Sequence, residues 1–160
     1  MAAMGALRTD RKEMTLVVDA SVALKWQFED EEATDSATQL LKDYVEGNQE
    51  LVSPTLFAYE VLSGIQVAIR RGRISETSGL KAFRFIQALD IPLRDFTPLA
   101  EKAFRMSRRL QISPYDAAYL VLAQAEGVEM ITGDRKLLRS VARHLPWVRW
   151  IGDFGAQGLR

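Results

Sequence analysis

The apolar residues of this chain gather in runs too short to be buried helices, and these runs are separated by segments with helical spacing. Thr15-Leu-Val-Val18, Glu50-Leu-Val52, Met130-Ile131 and Trp147-Val-Arg-Trp-Ile151 each read as a brief strand. Ile91-Pro-Leu93 reads as a weaker one, and its proline suits a sheet edge. Leu16-Val-Val18 is continuous rather than alternating, as expected of a strand covered on both faces. Strands that alternate with helical crossovers build a mostly parallel sheet with helices on both faces. In such sheets, ligands bind beyond the carboxyl ends of the strands.

The helix signals are local. Ser21 is expected to cap a short helix through Phe28, and Asp30 the next, which stops at Gly47-Asn48. Ser53-Pro54 is expected to open a long helix with proline in its favoured first position, ending near Arg71-Gly72. Ser75 opens another through about Leu89, Thr97-Pro98 the next, and Ser113-Pro114 one that ends at Gly127. Asp134 caps a helix through about Arg143. A length of 160 residues suits one domain, expected over residues 14–151. Residues 1–13 read as a flexible N-terminal extension and 152–160 as a loose tail.

Four acids fall where this alternation would gather them in one cleft. Asp19 ends the first strand, and Asp134 follows the strand Glu129-Met-Ile-Thr132. Asp116 lies in the first turn of the Pro114 helix. Glu60 lies inside the apolar helical run Leu56-Phe-Ala-Tyr-Glu-Val-Leu62. Each has a plainer reading. Asp19 could begin a turn, Asp134 could be a cap, and Ser113-Pro-Tyr-Asp116 matches a capping box. Glu60 is the hardest to explain as a solvated residue, because its stripe is apolar. Carboxylates brought together without paired bases are costly unless a cation sits among them. Ser21 and Thr132 are hydroxyl neighbours of two of these acids, placed to orient carboxylates.

Composition narrows the cation. The chain has no cysteine and a single histidine, His144, so thiolate and histidine-rich sites are excluded. Oxygen ligands favour Mg²⁺ or Mn²⁺. The 21 basic and 21 acidic residues cancel, so there is no strongly basic coat for nucleic acid. Local groups such as Arg70-Arg71-Gly72-Arg73 remain available to hold phosphates if they reach the cleft rim. No apolar run is long enough to span a membrane and no secretory signal is evident, so the expected location is cytoplasmic.

Val17-Val-Asp-Ala-Ser21, Glu60, Ser113-Pro-Tyr-Asp-Ala-Ala-Tyr119 and Ile131-Thr-Gly-Asp134 together resemble the PIN domain, and most of all the VapC-type toxin ribonucleases of toxin–antitoxin pairs. The resemblance covers about residues 14–151. It implies a three-layer α/β/α sandwich, a Mg²⁺- or Mn²⁺-dependent cleavage of RNA, a homodimer and a small antitoxin partner. It makes Asp19, Glu60, Asp116 and Asp134 the metal-binding catalytic cluster, with Ser21 and Thr132 in support. Two other readings remain open at this stage. One is a non-catalytic module whose acidic pocket receives a basic partner. The other is a metal-dependent DNA nuclease or phosphatase.

Overall fold

A computed structural model describes residues 14–155. Five parallel strands form its sheet: β1 (Thr15–Val18), β2 (Glu50–Pro54), β3 (Leu93–Arg94), β4 (Glu129–Thr132) and β5 (Val148–Trp150). Seven α-helices connect and cover them: α1 (Ala20–Lys25), α2 (Thr34–Val45), α3 (Leu56–Arg70), α4 (Glu76–Ala88), α5 (Ala100–Leu110), α6 (Pro114–Glu126) and α7 (Arg135–Val141). The architecture is the expected three-layer α/β/α sandwich.

The strand order is β3-β2-β1-β4-β5. The chain steps outward from β1 to β3, then crosses back to lay β4 on the other side of β1. That reversal leaves a crevice beyond the carboxyl ends of β1 and β4. Pairing of Val17 with both Val52 and Met130 fixes the register there. Three further elements open on the same edge. α3 begins where β2 ends, α7 begins where β4 ends, and α6 runs down from this edge to the start of β4.

This edge is anchored in the core. Val17, Val18, Met130 and Ile131 are all at most 1% exposed. α6 is buried from Ala117 through Ala123 and packs against β1, β2 and β4. Its sequence therefore shows little amphipathic contrast, as befits a central helix. Ser113 caps it by accepting from the Asp116 N–H at 3.0 Å, and Gly127 ends it at φ +67°. Ser53 Oγ donates to the Val18 carbonyl at 2.5 Å, joining the ends of β1 and β2 from inside the core.

Several boundaries differ from the sequence expectation, each for a physical reason. Pro54 is the last residue of β2 rather than the first of a helix. Ser53 and Thr55, on either side, donate to Pro92 and Arg94 of the edge strand at 3.1 and 3.0 Å. Ladder bonds to β3 come from alternate residues, so the missing N–H at Pro54 costs nothing. Asp30 does not cap α2. It pairs with Arg73 at 2.6 Å, and the helix starts after Ala33, which turns the chain at φ +60°. Thr97–Leu99 forms a 3₁₀ turn ahead of α5. The C-terminal segment is packed further than expected. Ile151–Asp153 forms a 3₁₀ turn and Phe154 is buried in the core. Residues 1–13 and 156–160 lie outside the described residues, and with them the expected flexibility of the N-terminal extension.

Candidate acidic site

Asp19 is the centre of the crevice and is only 6% exposed. It is still extended, at φ −96° and ψ 170°, when α1 begins at the next residue. Asp19, not Ser21, is therefore the cap: its Oδ1 accepts from the Val22 N–H at 3.3 Å. Ser21 instead donates its hydroxyl to the same oxygen. Thr132, at the end of β4, donates to Oδ2 at 2.5 Å. Each hydroxyl is itself held, since Ser21 Oγ accepts from the Gly133 N–H at 2.8 Å and Thr132 Oγ1 from the Asp134 N–H at 3.0 Å. The two strand ends on either side of the crevice are thus laced together through one carboxylate.

Burial pushes the Asp19 carboxyl from 3.8 up to about 6, against the pull of Ser21, Thr132 and the Val22 N–H, with the Asp116 charge adding to the rise. Glu60 and Asp116 are half-buried, and desolvation raises both. The charges of Asp19 and Asp116 add to the rise at Glu60, and that of Asp134 adds to the rise at Asp116. The Ser113 hydroxyl and Lys136 offset part of the effect at Asp116. Asp19, Glu60 and Asp116 are therefore within electrostatic reach of one another, Asp134 is within reach of Asp116, and Ser21 and Thr132 touch Asp19.

Asp134 carries a second duty. Its Oδ1 accepts from the N–H groups of Lys136 and Leu137 at 2.8 and 3.1 Å, so it caps α7. Capping does not exclude a role in the crevice, because a carboxylate has more acceptor positions than a cap consumes. The same holds for Asp19.

Sequence reasoning missed three neighbours. Tyr119, one turn past Asp116 on α6, lies near Glu60 and Asp19. The three-residue spacing from Asp116 was an available signal. Lys25 is buried, with Nζ 3.8 Å from Glu31 and 5.6 Å from the Trp150 ring centroid. Its stem packs where a side chain on Gly133 would otherwise go. Nothing local in the sequence announces a contact between residues 25 and 133. Arg135 is the third, paired with Glu32 and stacked 4.1 Å from the Trp150 ring centroid.

Among the described residues, no three acidic, histidine or cysteine side chains stand close enough to hold a metal ion unaided. The donor set still fits Mg²⁺ or Mn²⁺. It consists of oxygens, a neighbouring carboxylate adds to the rise at each of Asp19, Glu60 and Asp116, and Mg²⁺ keeps several waters rather than demanding a closed protein cage. A separate cavity of about 480 Å³ opens among Thr15, Glu50, Asp90, Arg94 and Glu126, at the starts of the strands, and includes none of the four acids. No helix among the described residues is long and apolar enough to cross a membrane.

A family model described as the PIN domain matches residues 16–143. Over 128 residues the chain is 34% identical to Ribonuclease VapC3 of Pyrobaculum aerophilum, covering 78% of this chain and 92% of that protein. Over 122 residues it is 30% identical to Ribonuclease VapC9 of Mycobacterium tuberculosis, covering 76% and 87%. The crystal structure of PAE2754 from Pyrobaculum aerophilum superposes with a TM-score of 0.62 at 20% identity, over 80% of each chain. That last likeness concerns the fold.

Proposed function

Because the chain belongs to the PIN-domain family and resembles its VapC ribonucleases along most of its length, we propose that it is a Mg²⁺- or Mn²⁺-dependent endoribonuclease, acting as the toxin of a toxin–antitoxin pair. The observation that carries this reading is Asp19. A carboxylate buried at the switch point of the sheet, oriented by two hydroxyls and within electrostatic reach of Glu60 and Asp116, is a poor structural element and a good anion for a hard cation.

Asp19 and Asp116 would be the main ligands, with Glu60 and Asp134 completing the set directly or through water. A divalent ion there would screen the phosphodiester's charge and make water a better nucleophile. The protein's own part is orientation and proton handling. Ser21 and Thr132 fix both oxygens of Asp19, so its position is set before a ligand arrives. Glu60 closes no hydrogen bond of ordinary geometry and is the acid best placed to accept a proton from the attacking water. Hydrolysis by water leaves a 5′-phosphate and a 3′-hydroxyl.

A homodimer, a small antitoxin that blocks the acidic crevice and a cytoplasmic location accompany this reading. Purified protein incubated with single-stranded RNA and Mg²⁺ tests it, beside single-stranded DNA and a phosphomonoester as competing substrates. Cleavage should be restricted to RNA, be lost in EDTA, and be lost in Asp19→Asn and Asp116→Asn. Full activity in both variants, or in EDTA, refutes the assignment.

A further inference from the structure

Among the described residues, Tyr119 Oη is the one buried side-chain polar atom without a hydrogen-bond partner. The residue is 2% exposed, so bulk water does not satisfy it. A buried, unsatisfied hydroxyl is rare and calls for an explanation. If ring volume were all that packing required here, phenylalanine would supply it without the orphaned group.

The surroundings of the hydroxyl are not apolar. It lies beside Glu60 and near Asp19, close enough for their charges to favour its protonated form, and the Ala20 N–H approaches its oxygen. None of these approaches closes to ordinary hydrogen-bond length and angle. A phenol donates one hydrogen bond and accepts others. It therefore suits a place between a backbone N–H and a carboxylate. Ala20 is the first residue of α1 and follows Asp19 directly, so its N–H belongs to the same strand end that holds the central acid. Glu60 stands on α3, which packs directly against α1.

This inference rests on reading the crevice as a divalent-cation site. We propose that Tyr119 is a positioning residue of that site: in the cation-bound state its hydroxyl accepts from the Ala20 N–H and donates to Glu60, holding that carboxylate beside Asp19. The orphaned hydroxyl would be satisfied if Glu60 closed the short remaining gap on binding a cation. Groups that orient a metal-binding carboxylate typically matter 10- to 100-fold in metal affinity.

The test is a Mg²⁺ titration of the full-length protein by calorimetry, with Tyr119→Phe, Glu60→Ala and the double variant. Tyr119→Phe should fold with an unchanged or higher melting temperature, because it removes a hydroxyl that the apo fold does not satisfy. Its Mg²⁺ affinity should fall by about tenfold or more. In the Glu60→Ala background the same substitution should have no further effect. With RNA, kcat should fall while KM stays the same, a split that a merely structural role would not produce. Mg²⁺ affinity of Tyr119→Phe within twofold of wild type overturns the proposal, as does a full loss that persists on Glu60→Ala. Should Tyr119→Phe not fold, Mg²⁺ should still perturb the near-ultraviolet tyrosine band of Tyr115→Phe protein, and an unperturbed band overturns it. Wild-type protein that binds no Mg²⁺ at all overturns the reading of the site together with this role.

Discussion

Asp19→Asn should stabilise the cation-free protein while abolishing its activity. Raising a carboxyl from 3.8 to about 6 means that the fold prefers the protonated acid. At 1.36 kcal/mol per pH unit, the ionised form then costs about 3 kcal/mol of stability at neutral pH. The folded pKa lies above the unfolded one. Stability from the neutral acid is therefore fully present below about 4 and is lost as the pH rises through 6. Asparagine carries no charge to desolvate and caps a helix about as well as aspartate. Its amide N–H₂ would face a hydroxyl that now donates, from Ser21 or Thr132. Those hydroxyls already accept from Gly133 and Asp134, so turning one of them costs about 1 kcal/mol. The net gain is about 2 kcal/mol near neutrality, or roughly 4–8 °C in melting temperature for a domain of this size. Urea denaturation in EDTA at pH 5 and pH 7.5 measures it. The wild type should lose stability between the two, the variant should lose much less, and their difference should widen with pH. An Asp19→Asn protein no more stable than wild type at pH 7.5, or a gap equal at both pH values, refutes the account of Asp19 as an acid held at a cost. Saturating Mg²⁺ should reverse the ranking, since a ligand at 100 times its Kd adds about 2.7 kcal/mol to the state that binds it.

Other perturbations probe the frame around the site. Gly133→Ala puts a methyl group on Lys25 Cε and 3.1 Å from both Ser21 O and Ser21 Oγ. It should cost about 1–3 kcal/mol in urea, with part of the loss recovered by Lys25→Ala. Leu120→Ala empties a fully buried position in the central helix and should cost about 2–5 kcal/mol; a loss under 1 would contradict the buried placement of α6. Arg135→Ala removes the stack on Trp150 and the Glu32 pair, and because Arg135 and Glu32 are both half-exposed it should leave the melting temperature nearly unchanged. Ser113→Ala removes the cap of α6 and should cost about 0.5–2 kcal/mol, seen as a lowered urea midpoint.

The strands were legible because their apolar runs are too short for buried helices and are bounded by turn and cap signals. Helix starts were legible where a side chain caps the backbone that follows it, as at Ser75, Ser113 and Asp134. They were misread where a distant group claimed the candidate cap. Asp30 was taken by Arg73, 43 residues away, and α2 begins instead on a left-handed Ala33. Pro54 was misread for a related reason. Proline at the first helical position and proline at a strand end both waive an N–H, and the pairing of Ser53 and Thr55 with a strand nearly 40 residues later decides between them.

The acids raise a subtler point, because capping and chemistry are not rival explanations for one carboxylate. Asp19 caps α1 with Oδ1 and receives Thr132 on Oδ2, and Asp134 caps α7 with a single oxygen. A carboxylate has more acceptor positions than a cap consumes. A helix that begins directly after a parallel strand places its cap at the sheet's carboxyl edge, where the ligand crevice lies. On such an edge, the residue type that starts the helix is also the type that binds a hard cation. A capping motif there is weak evidence against function. The discriminating quantity is desolvation. Asp19 is almost wholly buried, and its carboxyl is raised despite the bonds that favour its charged form. A residue whose only duty was to cap would gain from exposure, since an exposed carboxylate makes the same backbone bonds without the burial cost.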